Sequence, residues 1–246
     1  MIELFAKTDV GKVRKENQDA WRAYSDPELG EFALVVCDGM GGANAGSTAS
    51  TLAAESFLAH IRSCLDAPER AAPDKILRDA VAYANACVYD RAFQDAECHG
   101  MGTTLVAALI MGTTAAVVNV GDSRAYLLKG GGELACITND HSYVAEMVRR
   151  GLLTREEART HPKRNIITRA LGAELYVECD VFPITPEQGD ALMLCSDGLT
   201  NEVREAELAQ LMAQAPDAEN CCTSLIELAL DRGAPDNVTA AVIRVV

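Results

Sequence analysis

Four short apolar runs, each breaking off at or within a residue of an aspartate, constrain this chain more than any other feature. Ala33-Leu34-Val35-Val36-Cys37 runs into Asp38, Val117-Val118-Asn119-Val120 into Asp122, and Leu192-Met193-Leu194-Cys195 into Asp197. Asp236 stands just ahead of the last run, Val238-Thr239-Ala240-Ala241-Val242-Ile243. Runs of this kind read as buried strands, and the Gly, Ser or Asn beside each aspartate supplies the turn. One such carboxylate is an ordinary turn cap. Four of them, far apart in sequence, imply strand ends converging on one acidic cluster. Packed carboxylates repel each other and resist ionisation unless a cation sits between them. Oxygen ligands with no matching Cys/His set suit magnesium or manganese rather than zinc. The pattern points to a divalent-metal enzyme.

The rest of the chain supplies the frame. Residues 2–8 and 31–37 have strand character, and the Ala-rich stretch 47–64 reads as a helix. A second helix follows Pro73, with Ile76, Leu77, Ala80, Val81, Ala84, Cys87 and Val88 on one face. Strands are expected at 103–110, 114–120, 124–128 and 134–137, then short helices at 142–150 and 155–160, the latter opened by a Thr154-x-x-Glu157 capping box. Strands near 176–182 and 191–196 precede helices near 204–214 and 218–231 and a final strand at 237–245. Helices in pairs between groups of strands are the grammar of an α+β layered fold with largely antiparallel sheets. No Pro/Ser-rich linker interrupts the chain and the aspartate motifs span nearly all of it, so one domain, 1–246, is expected.

Composition excludes several functions. A net charge of −14 over 246 residues argues against nucleic acid, whose binding relies on neutralising phosphates. The apolar stretches fall short of the roughly 20 residues that a membrane helix needs, so no membrane insertion is expected. The N-terminus shows no secretory pattern. The nine cysteines are an odd number and show no C-x-x-C spacing, which suits reduced, buried thiols. Together these place the chain in the cytoplasm.

Local motifs add detail. In Asp38-Gly39-Met40-Gly41-Gly42 the glycines let backbone approach a ligand closely, and a freed carbonyl could bind metal. The segment lacks the Lys-Ser/Thr of a P-loop and does not fit G-x-G-x-x-G. In Arg14-x-x-Asn17-Gln18-Asp19 the arginine could clamp a phosphoryl group with its fork, and Asp19 could hold metal-bound water. His141 invites a general-acid role, against the commoner one of a turn or helix-capping histidine. His60 and His161 carry less information.

Read in order, these segments resemble the metal-dependent serine/threonine protein phosphatases of the PPM (type 2C) family, in their compact bacterial form. The resemblance covers almost the whole chain. It runs through Gly11-x-Val13-Arg14-x-x-Asn17-Gln18-Asp19, Asp38-Gly39-Met40-Gly41-Gly42, Met101-Gly102-Thr103-Thr104 and Val120-Gly121-Asp122-Ser123-Arg124. It continues through Asp140-His141-Ser142, His161-Pro162, Thr168-Arg169-Ala170-Leu171-Gly172, Ser196-Asp197-Gly198-Leu199 and Asp236-Asn237-Val238-Thr239.

The family implies a four-layer α/β/β/α sandwich, two central antiparallel sheets flanked by helix pairs, with metals at one end. Asp38 would bridge two Mn²⁺ or Mg²⁺ ions, with the Gly39 carbonyl on one of them. Asp197 and Asp236 would complete the other, and Asp19 would act through bound water. Asp122, sharing Asp197, would hold the third ion of bacterial members. Arg14 would grip the substrate phosphate, and residues 142–165 would form a mobile flap. The chemistry implied is hydrolysis of phosphoserine and phosphothreonine by a metal-bridging hydroxide, without a phosphoenzyme, opposing a serine/threonine kinase in bacterial signal transduction. The implied partners are phosphorylated proteins, including such a kinase, and a monomer is expected. The alternative is a binding or sensory module that keeps the fold without the catalysis. Two departures concern the glycine loop: many relatives have His where Ala43 stands and Glu where Ser47 stands, and some eukaryotic members carry a candidate acid His in place of Met40. They leave the leaving-group acid open, a metal-bound water being the choice.

Overall fold

The structure is a computed structural model that describes residues 2–41 and 45–246; Gly42 and Ala43 of the glycine loop lie outside the described residues. It opens with β1 (Ile2–Asp9), β2 (Asp19–Asp26) and β3 (Glu31–Met40), then the long helices α1 (Ala45–Leu65) and α2 (Pro73–Gln94). A group of strands follows: β4 (Gly102–Thr103), β5 (Leu105–Met111), β6 (Thr114–Val120), β7 (Arg124–Leu128) and β8 (Leu134–Cys136). Two short helices, α3 (Tyr143–Arg149) and α4 (Arg155–Thr160), precede β9 (Asp180–Ile184) and β10 (Ala191–Cys195). The chain ends with α5 (Asp197–Glu202), α6 (Glu205–Gln214), α7 (Ala218–Asp231) and β11 (Val238–Val245).

The strands form two antiparallel sheets, in the orders β1-β11-β10-β7-β8 and β2-β3-β5-β6-β9, with β4 paired to the end of β3. Side-chain alternation sorts three cores. Ala33, Val35 and Cys37 of β3 face α1 and α2, together with Leu105, Ala107 and Leu109 of β5. Their alternates Phe32, Leu34, Val36, Val106 and Ala108 meet Leu192, Leu194, Ala241 and Ile243 of the other sheet. Met193 and Cys195 of β10 and Val238, Ala240 and Val242 of β11 face Leu208, Leu225 and Ile226 of α6 and α7. Helices, sheet, sheet and helices therefore stack in four layers. A strand buried on both faces has no polar side, which is why these segments read as unbroken apolar runs.

Three elements depart from the sequence reading. Strand β2 was not expected at all, α5 fills what looked like a turn, and β9 starts at Asp180 rather than near 176. Asp38 also differs: it lies inside β3, not at its end, because Gly39 and Met40 continue the ladder by pairing with Thr103 and Gly102 of β4.

Candidate metal centre

Strand register brings the first two aspartates together. Asp19, the first residue of β2, lies directly opposite Asp38 of β3. Like charges so placed are destabilising unless something neutralises them. The backbone around Asp38 is held firmly: its N–H donates to Thr104 Oγ1 at 2.9 Å, and its carbonyl accepts from Thr103 Oγ1 and the Thr104 N–H, both at 2.9 Å. Thr104 Oγ1 in turn shares a 2.7 Å hydrogen bond with Ser123, next to Asp122.

Gly39 is required by packing. A Cβ there would run into the carbonyl of Gly46 in the first turn of α1. The glycine lets helix and strand end press together behind the carboxylates. Across the centre, Asp197 opens α5. A Cβ on the following Gly198 would strike the Asn237 carbonyl, so this glycine lets α5 sit against the loop that carries Asp236.

Asp19 is buried, and its Oδ2 accepts from Ser196 Oγ at 2.7 Å and Thr239 Oγ1 at 2.6 Å. Its Oδ1 is also buried, with no hydrogen-bond partner among the described residues. Burial pushes its pKa up to about 7, the two hydroxyls pull it down, and Asp197 and Asp236 raise it again. Asp122 is raised to about 8, first by burial, then by Asp197 and Asp140. Asp38 lies well above the usual carboxylate range through burial and then the charges of Asp19, Asp197, Asp122 and Asp236. Asp197 is raised by burial and then by Asp236, while hydrogen bonds with Asn201 and Asp38 oppose the rise.

Four buried carboxyls, Asp19, Asp38, Asp122 and Asp197, thus occupy one region and resist ionisation, with the Asp236 carboxylate adding its charge beside them. Among the described residues, no three His, Cys, Asp or Glu side chains already close around a single point. The mutual rise in pKa therefore reports a shared acidic pool rather than a finished cage. The donor set is all oxygen, and the orphaned Asp19 Oδ1 is an acceptor without a donor. Both fit small, hard cations. Asp38, Asp197, Asp236, Asp122 and the Gly39 carbonyl are the residues available to hold them, with Asp19 behind.

Arg14 stands at the rim with a half-exposed side chain, its Nη2 2.8 Å from Asp236 Oδ2. The loop bearing it is fixed by Asn237, whose Nδ2 donates to the Val10 and Glu16 carbonyls and whose Oδ1 accepts from the Gln18 N–H. Sequence reasoning gave Asn237 only an Asx turn, and gave Ser196 and Thr239 no role. Adjacency to Asp197 and to Asp236-Asn237 was the one available signal.

His141 is buried. Its Nδ1 accepts the Gly121 N–H at 3.1 Å, which leaves the proton on Nε2, 3.2 Å from Asp180 Oδ2. Burial lowers its pKa. This histidine fastens the Asp122 turn. The segment after it carries α3 and α4, and the Arg159 guanidinium donates to the Thr200 carbonyl of α5 at 3.2 Å.

Comparison with known proteins agrees with this architecture. The family profile described as Protein phosphatase 2C matches residues 12–227. A serine/threonine phosphatase Stp of Listeria monocytogenes is 35% identical over 237 residues, covering 96% of this chain and 93% of its own. The serine/threonine protein phosphatase PstP of Mycobacterium tuberculosis is 40% identical over 247 residues, 100% of this chain and 45% of that protein. The crystal structure of Stp1 from Staphylococcus aureus superposes with a TM-score of 0.90 at 36% identity, covering 100% of this chain and 96% of that one. The PstP catalytic domain, in complex with two manganese ions, gives a TM-score of 0.86 at 36% identity, with 100% and 98% covered. With the layers, the register of Asp19 against Asp38 and this agreement along nearly its whole length, the chain is a member of the protein phosphatase 2C family of serine/threonine phosphatases.

Proposed function

We propose that the chain hydrolyses phosphoserine and phosphothreonine in proteins with two Mn²⁺ or Mg²⁺ ions held by Asp38, Asp197, Asp236 and the Gly39 carbonyl, a third ion falling to Asp122 and Asp197. The observation that supports this reading is the pool of five aspartates, four of them held protonated by burial and mutual charge, together with the buried, partnerless Asp19 Oδ1. What such cations supply when bound is a water acidified to near-neutral pKa and screening of the phosphoryl charge.

The protein's own part is positional. Ser196 and Thr239 hold Asp19 by one oxygen, leaving the other buried without a hydrogen-bond partner. The clamp on the Asp38 backbone keeps that carboxyl from swinging when charge develops nearby. Arg14 offers a planar fork of donors at the rim, suited to two phosphoryl oxygens at once. Its ion pair with Asp236, at 2.8 Å, tethers that fork beside the acidic pool. Charge on the equatorial oxygens is then met by a fixed guanidinium, a preorganised electrostatic term. No side-chain nucleophile is required.

The partners of this reading are phosphoproteins, a serine/threonine kinase being the opposing activity. All nine cysteines are free, which fits a reducing cytoplasm. Among the described residues, no helix is long and apolar enough to cross a membrane. An inactive binding module would require a missing ligand, and every aspartate of the set stands. The test is turnover of p-nitrophenyl phosphate and of a phosphothreonine peptide with Mn²⁺. Asp38→Ala, Asp236→Ala or EDTA should each abolish it, and full activity in EDTA would sink the proposal.

A further inference from the structure

The candidate centre is acidic, but its border is not. Between Ser142 and Arg169 the chain sets seven of its 22 Lys and Arg residues against three glutamates, in a protein of net charge −14. Arg169 is met by Asp180 at 3.1 Å and Glu178 at 3.5 Å, but the other six are not used up internally. Glu146 takes both Arg149, at 2.7 Å, and Arg150, at 2.6 Å, and one carboxylate cannot neutralise two guanidinium groups. Arg159 spends a donor on a neutral carbonyl, which leaves its charge uncompensated. Arg155, Lys163 and Arg164 are exposed and have no carboxylate partner among the described residues. The Lys163 ammonium lies 5.0 Å from the centre of the Tyr143 ring, which steadies the side chain without cancelling its charge.

This segment is anchored at the centre. At its root, the Thr168 N–H donates to the His141 carbonyl at 2.7 Å, and His141 grips Gly121, next to Asp122. At its far end, Arg159 holds α5, the helix that begins with Asp197. On the other flank, the Lys12 N–H donates to the Ala234 carbonyl at 2.9 Å, so exposed Lys12, Arg14 and Lys15 stand beside Asp236. Arg14 is already paired with Asp236 at 2.8 Å, so the uncompensated positive charge bordering the acidic pool comes from Lys12 and Lys15 on this flank and from the 142–169 segment on the other.

We infer that this basic rim selects phosphopeptides whose residues beside the phosphate are themselves acidic: Asp, Glu or a second phosphorylated side chain. The inference rests on the phosphatase reading above and names its substrate class. The pool of aspartates repels a polyanion, while the rim attracts its flanks, so orientation and encounter both favour an acidic segment lying across the centre. Each exposed contact contributes little, and several acting together decide the preference. Exposed charges are screened by salt, so the preference must weaken as ionic strength rises.

Three phosphothreonine peptides of equal length, with acidic, neutral or basic flanks, test this on the Mn²⁺-supplemented protein. The kcat/KM values should rank acidic, neutral, basic, with about tenfold, roughly 1.4 kcal/mol, between the first two at low ionic strength. That ratio should shrink as salt is added. In the Lys163→Glu/Arg164→Glu double variant it should fall to about one through KM, with p-nitrophenyl phosphate, which has no flanks, reporting the state of the catalytic centre. Equal values for all three peptides, or a ratio that survives the double reversal, would overturn the rim. If the unaltered protein turned over none of the peptides, the phosphatase reading itself would fail, and this one with it.

Discussion

Asn237 ties three stretches of backbone to one side chain, with hydrogen bonds of 2.9, 2.9 and 2.8 Å to Val10, Glu16 and Gln18. Arg14 rides on the loop so fixed. Asn237→Ala should therefore destabilise the fold by about 2–4 kcal/mol, at about 1 kcal/mol or a little more per hydrogen bond. It should also raise KM for phosphopeptides more than it lowers kcat, because Arg14 loses its station while the aspartates keep theirs. Urea unfolding and steady-state kinetics check both. The aspartates stood out in the sequence because four of them recur beside apolar runs, where one alone would be an ordinary turn cap. Ser196, Thr239 and Asn237 did not. Their roles depend on which strand lies beside which: Thr239 reaches both Asp19, at 2.6 Å, and Thr8, at 2.7 Å, only because β11 pairs with β1 in one register. Periodicity along a chain carries no such register.

Among the elements, β3, β5, β6, β10 and β11 announced themselves because both faces are buried. Strand β2 did not. Its sequence, DAWRAYSD, is that of a half-exposed edge strand, sending Ala20 and Tyr24 toward the helices and Trp21 and Ala23 toward the other sheet. It nonetheless sets Asp19 opposite Asp38, so the element hardest to read is one that builds the centre. Helix α5 was missed because six residues are too few for a 3.6-residue period to show. Its placement turns on Gly198, whose added Cβ would meet backbone with no room to give. Gly198→Ala should cost about 1–3 kcal/mol as an overpacking change. By pushing Asp197 from Asp236 it should also weaken Mn²⁺ binding. Thermal unfolding with and without Mn²⁺ reads both effects, and an unchanged metal-induced stabilisation would contradict the placement.

At the scale of the whole molecule, the carboxyl pool links stability to pH and metal. In the folded protein Asp19 holds its proton to about 7 and Asp122 to about 8, against 3.8 for an ordinary aspartate. Between those limits the folded chain binds protons that the unfolded chain has released, so stability falls as pH rises through that window. With EDTA present, the unfolding midpoint should be lower at pH 8 than at pH 5. Saturating Mn²⁺ should restore more stability at pH 8, where the ligands are already deprotonated. A chelated protein with the same midpoint at both pH values would contradict the shared pool. The layered α+β plan was legible from paired helices between groups of strands, whereas the closeness of five distant carboxyls is a property of the assembled sheets. The most direct test of that closeness is anomalous scattering from a crystal soaked in Mn²⁺. Two peaks should appear, with oxygens of Asp38, Asp197 and Asp236 about 2.1 Å away, as expected for a small divalent ion on oxygen. Ions bound elsewhere, or none at all in a crystal of hydrolytically active protein, would contradict it.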